Sequence, residues 1–170
     1  MRETPQQYIE RILNLLAGQD PMKVQATTPK KIARLIKSVP ASKLRKPPAP
    51  GKWSVGEILA HLADSEIVTG WRIRQILGAP GTPIQPFDQD SWAVAGRYPK
   101  RDPRKSLEYF STARAANLAL LKSLSREQWK HHGMHAERGV ETIKQVVRMM
   151  AGHDINHVKQ IERMVAARKS

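Results

Sequence analysis

Residues 53–77, WSVGEILAHLADSEIVTGWRIRQIL, have the pattern of one long amphipathic helix. Ser54 is suited to cap the first turn, and Glu57 three residues later completes a capping box. Until Gly78 and Pro80 end the pattern, apolar side chains recur at helical spacing, at positions 55, 58, 59, 62, 67, 68, 71, 73 and 76. A helix of this length needs partners that cover its apolar face, so the stretch favours a helical bundle.

The flanking sequence predicts the other helices of this bundle. Thr28 and Pro29 give an N-cap followed by proline at the first helical position, and Asp102 with Pro103 repeats the signal. Apolar residues at helical spacing follow both starts. Four principal helices are therefore predicted, at about 28–39, 54–78, 103–124 and 141–168. The expected fold class is all-α, a four-helix bundle.

The remaining segments are predicted to connect these helices within one domain of 170 residues. Residues 1–20 form an N-terminal helical extension, with the helix over 5–17. Residues 79–102, between the second and third bundle helices, are rich in proline and glycine and form a long loop. A loop of that length in a compact domain is often functional. The connector 125–141 is expected to hold at most a short turn of helix, and no strand signal is convincing.

The composition excludes several kinds of site. The chain has no cysteine, which rules out disulfides, zinc–thiolate sites and a cysteine nucleophile. A metal ion would have to bind nitrogen and oxygen ligands, and thiol chemistry would need a thiol from outside. The N-terminal MRETPQQYIE lacks the apolar region of a signal peptide, and no apolar run is long enough for a membrane span. A soluble cytoplasmic protein without a membrane partner is expected.

The formal net charge is +14, and it is unevenly distributed. The segment 23–52 carries nine Lys or Arg and no acidic residue. Such a segment can contact nucleic acid, an anionic membrane or an acidic ligand, but a solvated basic face is the simpler interpretation. Aromatic residues are too few for a base-stacking platform, and no RNA- or DNA-binding signature is present. Nucleic acid is therefore not expected as a partner, and a basic nucleic-acid-binding protein is kept as an alternative.

Three histidines are candidates for a metal site. The stretch AGHDINHVKQ, 151–160, places His153 and His157 one turn apart on the apolar side of the last helix. Two imidazoles at this spacing can bind one ion, although ordinary polar residues are an equally simple explanation. His61 faces the core from another helix and is the best third ligand, because bundles build metal sites from facing helices. Its alternative is a core histidine with hydrogen-bond partners of its own.

Other polar residues near these histidines have weaker claims. Asp64 lies one turn after His61. It is a candidate to accept the ring proton of His61, and the alternative is a charged residue on the helix surface. Asp154 adjoins His153 but points about 100° away around the helix. The histidines of the connector are expected on the surface: His131, His132 and His135.

Three stretches taken together resemble a known family. They are PAPGKWSVGEILAHLADSE (48–66), FDQDSWA (87–93) and GVETIKQVVRMMAGHDINHVKQIE (139–162). In this order they are similar to the DinB-like family, also called the DinB/YfiT-like metal-dependent hydrolases, over about Thr28–Ile161. The most specific pieces are W-S-x-x-E-x-L-x-H-L-x-D-x-E and H-D-x-x-H-x-x-Q-I.

The resemblance implies an up-down-down-up four-helix bundle, commonly dimeric, with a divalent metal ion held by three histidines. Carried over position by position, the ligands are His61, His153 and His157, and nickel or zinc is the expected ion. Relatives include enzymes that use low-molecular-weight thiols. The predicted function is therefore a metal-dependent hydrolase or a thiol-dependent S-transferase that acts on a small-molecule substrate as a homodimer. The alternative is a non-catalytic bundle that the metal stabilises.

Two aromatic residues of the loop 79–102 are predicted to line the substrate pocket, Trp92 and Tyr98. A plain packing role for Trp92 is the alternative. Basic residues near the pocket mouth are expected to suit an anionic thiol or substrate, but the sequence does not identify them. No catalytic residue is assigned from the sequence.

Overall fold

Four long helices form a bundle in the computed structural model, which describes residues 4–167 except for the side chain of Pro5. The helices of that part of the chain are α1 (Pro5–Leu16), α2 (Pro21–Ile36), α3 (Ala41–Leu44), α4 (Val55–Gly78), α5 (Gln89–Ala95), α6 (Pro103–Lys122) and α7 (Ile143–Ala166). Its strands are β1 (Pro83–Ile84), β2 (His132–His135) and β3 (Gly139–Thr142). The bundle consists of α2, α4, α6 and α7.

The start of α4 follows the predicted capping box. The Ser54 hydroxyl accepts a hydrogen bond from the Glu57 amide, and the Glu57 carboxylate accepts one from the Ser54 amide. Two amides of the first turn, which the helix itself leaves without acceptors, are satisfied in this way. Asp102 caps α6 as predicted, accepting hydrogen bonds from the amides of Arg104 and Lys105.

The two middle helices run parallel. Gly56 faces Pro103 near the starts of α4 and α6. Gly70 faces Asn117, and these two residues lie 14 positions further along their helices. Because consecutive parallel helices need a long return segment, residues 79–102 must cross the bundle. His61 of α4 meets His153 and His157 of α7, which runs in the opposite direction. The contacts of Gln25 with Val147 and of Lys31 with Glu162 show that α2 runs parallel to α7, so the four-helix bundle and its up-down-down-up order are confirmed.

The apolar core lies in two parts along the bundle. The first is centred on Ile32, Leu59, Phe110 and Ile161, one from each long helix, all fully buried. The second, toward the other end, contains Ile76, Leu121 and Ile143 and packs under the strands.

The predicted start of the first bundle helix at Thr28 and Pro29 is wrong. The helix α2 begins at Pro21, where Asp20 caps it by accepting hydrogen bonds from the amides of Met22 and Lys23. Pro29 then lies inside the helix and cannot donate to the Gln25 carbonyl. The Arg114 guanidinium donates to that carbonyl instead, at 3.0 Å. A contact from α6 thus offsets the missing helical hydrogen bond.

The absence of strands was also predicted wrongly. The three strands form one small sheet in the order β1-β2-β3, with β1 parallel to β2 and β2 antiparallel to β3. Strands of two to four residues are too short for alternating hydrophobicity to be detected. His135, expected on the surface, is only 3% exposed because β1 pairs alongside it, and His131 and His132 are half-buried.

The loop 79–102 is partly helical, since it holds α5 and a 3₁₀ turn at Tyr98–Lys100. The connector holds the predicted short helical turn, at Gln128–Lys130, besides the β2–β3 hairpin.

None of the helices in the described range 4–167 is long and apolar enough to cross a membrane.

Candidate metal centre

The predicted histidine triad comes together in the structure. His61 extends from α4, and His153 and His157 extend from successive turns of α7. The Nε2 atoms of His61 and His157 each lie 3.0 Å from Nε2 of His153. One ligand atom from each ring lies within 4.8 Å of the others, so the three rings converge on one point.

Burial keeps these imidazoles neutral at physiological pH. All three rings are buried, with at most 8% of each residue exposed. Desolvation, assisted by the neighbouring His157, lowers the pKa of His61 to about 3. Desolvation lowers the pKa of His157 to about 4, and it lowers that of His153 well below its ordinary value. Neutral imidazole is the form that binds a metal ion.

The three nitrogens fit a metal ion better than they fit each other. A neutral imidazole has one donor and one acceptor nitrogen, so His153 Nε2 cannot form a good hydrogen bond with both neighbours at once. A cation would accept a lone pair from all three. Two imidazole nitrogens bound to one zinc ion at about 2.0–2.1 Å lie roughly 3–3.5 Å apart, and the observed separations agree with this.

The partner of the other ring nitrogen of His157 supports the same arrangement. His157 Nδ1 lies 3.0 Å from Oε1 of Gln160, an oxygen that accepts the Nδ1 proton and leaves Nε2 with its lone pair. His61 Nδ1 lies 3.4 Å from the Ser65 hydroxyl. Sequence reasoning missed both residues, although each lies about one turn after its histidine, where helical periodicity places a contact.

Asp64 does not take the orienting role predicted for it. Its two carboxylate oxygens accept hydrogen bonds from the Tyr98 hydroxyl at 2.9 Å and from the Arg101 guanidinium at 2.8 Å. Its position on α4 turns it toward the 3₁₀ turn, whereas Ser65, one residue later, shares the face of His61. The hydroxyl near His61 is therefore that of Ser65.

A cleft of about 610 Å³ reaches the triad from solvent, and its wall includes His157. Neither Trp92 nor Tyr98 lines it, contrary to the prediction. Trp92 is 41% exposed and packs on Phe87, while Tyr98 is buried against Asp64 because its ring fills the space beside α4. The aromatic wall is Trp53, whose ring centre lies 5.0 Å from that of His61.

A second buried polar group lies beside the triad, formed by the ions Glu66, Arg114 and Asp154. Arg114 donates to Asp154 through both Nη atoms and pairs with Glu66 at 2.8 Å. All three residues are at most 1% exposed. Burial lowers the pKa of Arg114, but Asp154 and Glu66 outweigh this and raise it, so the guanidinium stays charged. Asp154 thus points away from the triad, as its helical position predicted.

Comparisons with known proteins agree with this site and fold. The family model described as the DinB superfamily matches residues 26–161. YfiT of Bacillus subtilis (strain 168), provisionally named a metal-dependent hydrolase, is 25% identical over 141 residues, which cover 82% of this chain and 79% of YfiT. A protein of Halalkalibacterium halodurans with the same provisional name is 22% identical over 143 residues, covering 84% and 83% of the two chains.

A solved structure supports the fold independently. YfiT from Bacillus subtilis, described as having an unusual four-helix bundle topology, superimposes with a TM-score of 0.75 at 24% sequence identity. The match covers 96% of this chain and 91% of that one. The family model spans most of the chain, including all three histidines of the triad. The chain therefore belongs to the DinB superfamily.

Proposed function

We propose that His61, His153 and His157 hold one divalent metal ion, nickel or zinc, and that the protein uses it to hydrolyse a small-molecule substrate. The observation that carries this proposal is the convergence of three buried, neutral imidazole nitrogens, one of which belongs to His157 in the wall of an open cleft. The provisional names of the relatives as metal-dependent hydrolases support the same class of reaction.

The residues of the chain prepare this site in three ways. Burial holds the ligand imidazoles in the form that binds metal. Gln160 fixes the tautomer of His157, and the Ser65 hydroxyl lies beside the ring of His61. The Trp53 ring packs beside the His61 ring, with the ring centres 5.0 Å apart. A bound divalent metal would act as a Lewis acid, lowering the pKa of a water or thiol ligand toward neutrality.

Thiol-dependent S-transfer is the second candidate reaction. The chain has no cysteine, so the thiol would be a separate low-molecular-weight cofactor. The cleft suits an anionic thiol, because Arg11, Lys52 and Arg163 line it. In this reaction the thiol sulfur, rather than water, would attack the electrophilic substrate.

A single experiment separates these reactions and tests the proposal. Metal-free protein is loaded with zinc or nickel, and a panel of activated esters, amides and alkyl halides is assayed with and without added thiol. We expect turnover that requires the metal and disappears in His157→Ala, while circular dichroism shows that the variant stays helical. Turnover only with thiol would identify the S-transferase. A metal that raises thermal stability without turnover in any assay would instead favour the metal-stabilised, non-catalytic bundle.

We also propose that the protein is a single-domain, cytoplasmic homodimer that does not bind nucleic acid. The resemblance to the family supports the dimer, and sedimentation equilibrium would test it by giving twice the chain mass of 19.2 kDa.

The segment 23–52 includes α3 and most of α2 and is rich in lysine. A duplex titration that shows tight binding falling steeply with salt would contradict the expected absence of nucleic-acid binding.

A further inference from the structure

The cleft above the triad carries an excess of positive charge from three separate parts of the chain. Arg11 comes from α1, Lys52 from the segment before α4, and Arg163 from α7. All three are exposed to solvent. Asp90 is the single carboxylate among the described residues that line the cleft. Three basic side chains against one carboxylate give the wall a net positive charge.

The position of Arg11 depends on a close contact between α1 and α7. Ile12 of α1 is fully buried. A Cβ added to Gly152 of α7 would lie 2.2 Å from the carbonyl oxygen of Ile12. The next residue of α7 is the ligand His153, so α1 rests directly beside the metal centre. Arg11 Nη1 donates to Oδ1 of Asn156 at 3.3 Å, and Asn156 lines the same cleft. This contact holds the guanidinium at the cleft wall.

The helix that supplies Arg11 lies outside the part of the chain that the family model matches, which begins at residue 26. Arg11 and its neighbour Tyr8 on this helix line the same cleft as His157, which lies within the matched region.

We infer that the cleft selects a small anionic ligand, bearing carboxylate or phosphate groups, which Arg11, Lys52 and Arg163 bind while its uncharged part packs on Trp53. The volume of about 610 Å³ is in the range of small-molecule sites. Guanidinium groups form short, charge-assisted hydrogen bonds with carboxylate and phosphate oxygens, and Arg11 and Arg163 provide two of them. The inference rests on the proposed function in that the ligand would be the substrate or thiol that this site uses.

The test compares probes that share one ring but differ in charge. Isophthalate and phenyl phosphate are the carboxylate and phosphate probes, and isophthalamide is the neutral one. Their dissociation constants are measured by ligand-observed NMR with metal-free and zinc-loaded full-length protein. We expect both forms to prefer an anionic probe to isophthalamide, and the tighter anionic probe identifies the chemistry of the natural ligand. Arg11→Gln/Arg163→Gln should weaken anion binding by about tenfold and leave isophthalamide unchanged.

A matched control separates the cleft from the general positive charge of +14. Lys122→Gln/Arg126→Gln removes the same charge from exposed residues outside the cleft, and it should leave all three constants unchanged. Equal weakening by both double variants would overturn the inference, as would equal affinity for charged and neutral probes. Anion binding that appears only with zinc and ignores the Arg11→Gln/Arg163→Gln change would also overturn it, while leaving the proposed metal site intact. Anion selectivity in the metal-free protein with no metal uptake would support the inference and contradict the proposed function.

Discussion

Two buried polar clusters built from the same helices differ in whether their groups satisfy each other. In the ion network, the positive charge of Arg114 lies against the carboxylates of Glu66 and Asp154. In the histidine triad, three neutral rings direct nitrogens at one another, and His153 Nε2 cannot form a good hydrogen bond with both neighbours at once. His153 and Asp154 are neighbours in sequence and enter different clusters. The difference indicates that the network joins the helices through its own charges, whereas the geometry of the triad supports the proposed metal site.

The largest expected effect comes from breaking the ion network. Arg114→Met leaves two buried carboxylates without a counter-charge and the Gln25 carbonyl without a donor. Removing one partner of a buried ion pair typically costs about 3–5 kcal/mol, and we expect a loss of that size in the free energy of unfolding. Chemical denaturation followed by circular dichroism measures it.

The matched control is Arg126→Met on the exposed connector, for which a change within about 0.5 kcal/mol is expected. A loss below about 1 kcal/mol for Arg114→Met would show that the network does not join the helices as described.

The next effect concerns the triad and should depend on the metal. His157→Leu replaces a buried, neutral imidazole with an apolar side chain of similar size. The free energy of unfolding of the metal-free protein should therefore change by less than about 1.5 kcal/mol. The wild type should gain about 2.7 kcal/mol when zinc is present at a hundredfold excess over its Kd, and the variant should gain nothing. Thermal unfolding with and without zinc gives both values. An equal gain in the variant would exclude His157 as a ligand.

A smaller loss is expected where α4 and α6 approach each other beside the network. In Gly70→Ala, the added Cβ would lie 2.4 Å from Oδ1 of Asn117, which donates through its nitrogen to Glu66. Overpacking of this kind costs about 1–3 kcal/mol. Gly78→Ala, at the end of the same helix with nothing within 4 Å of the added atom, should instead stabilise slightly. Denaturation midpoints that fall equally in both variants would contradict the close contact.

The smallest effect is a pH dependence of the metal-free protein. Burial places the pKa of His61 at about 3 and that of His157 at about 4, whereas the unfolded rings titrate near 6.5. The unfolded chain therefore takes up protons first as the pH falls, so stability is full well above pH 6.5 and is lost progressively as the pH falls through that value. Between pH 7.5 and 6.5 we expect a loss of about 1 kcal/mol, steeper at lower pH.

The His61→Leu/His157→Leu variant should show a much flatter profile when its unfolding is measured over the same range. An identical pH dependence in this variant and the wild type would assign the effect to other groups.

The triad was accessible from the sequence because helical spacing places His153 and His157 on one face and points His61 at the core from a facing helix. The capping signals at Ser54 and Asp102 also act locally, and they were predicted correctly. The start of α2 was not, because Pro29 is tolerated only through a contact from Arg114, which is 85 positions away in the chain. Such a contact exists only once the helices have packed.

The residues that line the cleft were predicted less well than the histidine triad, because they too come together only once the helices have packed. Trp53 directly precedes one predicted helix, and Arg163 lies near the end of another. Neither position in the sequence shows that these residues share a wall with Arg11. Asp64 has the correct spacing to contact His61, and the Tyr98 hydroxyl and Arg101 draw its carboxylate away. Local patterns therefore identified the three histidines that come together, while the tertiary fold decides what surrounds them.

The measurement that tests the central claim most directly is the metal content of the purified protein beside His157→Ala and His132→Ala. His132 lies on β2 outside the triad and controls for the loss of any histidine. The account predicts about one nickel or zinc ion per chain in the wild type and in His132→Ala, and almost none in His157→Ala. Equal metal content in the wild type and His157→Ala would contradict it.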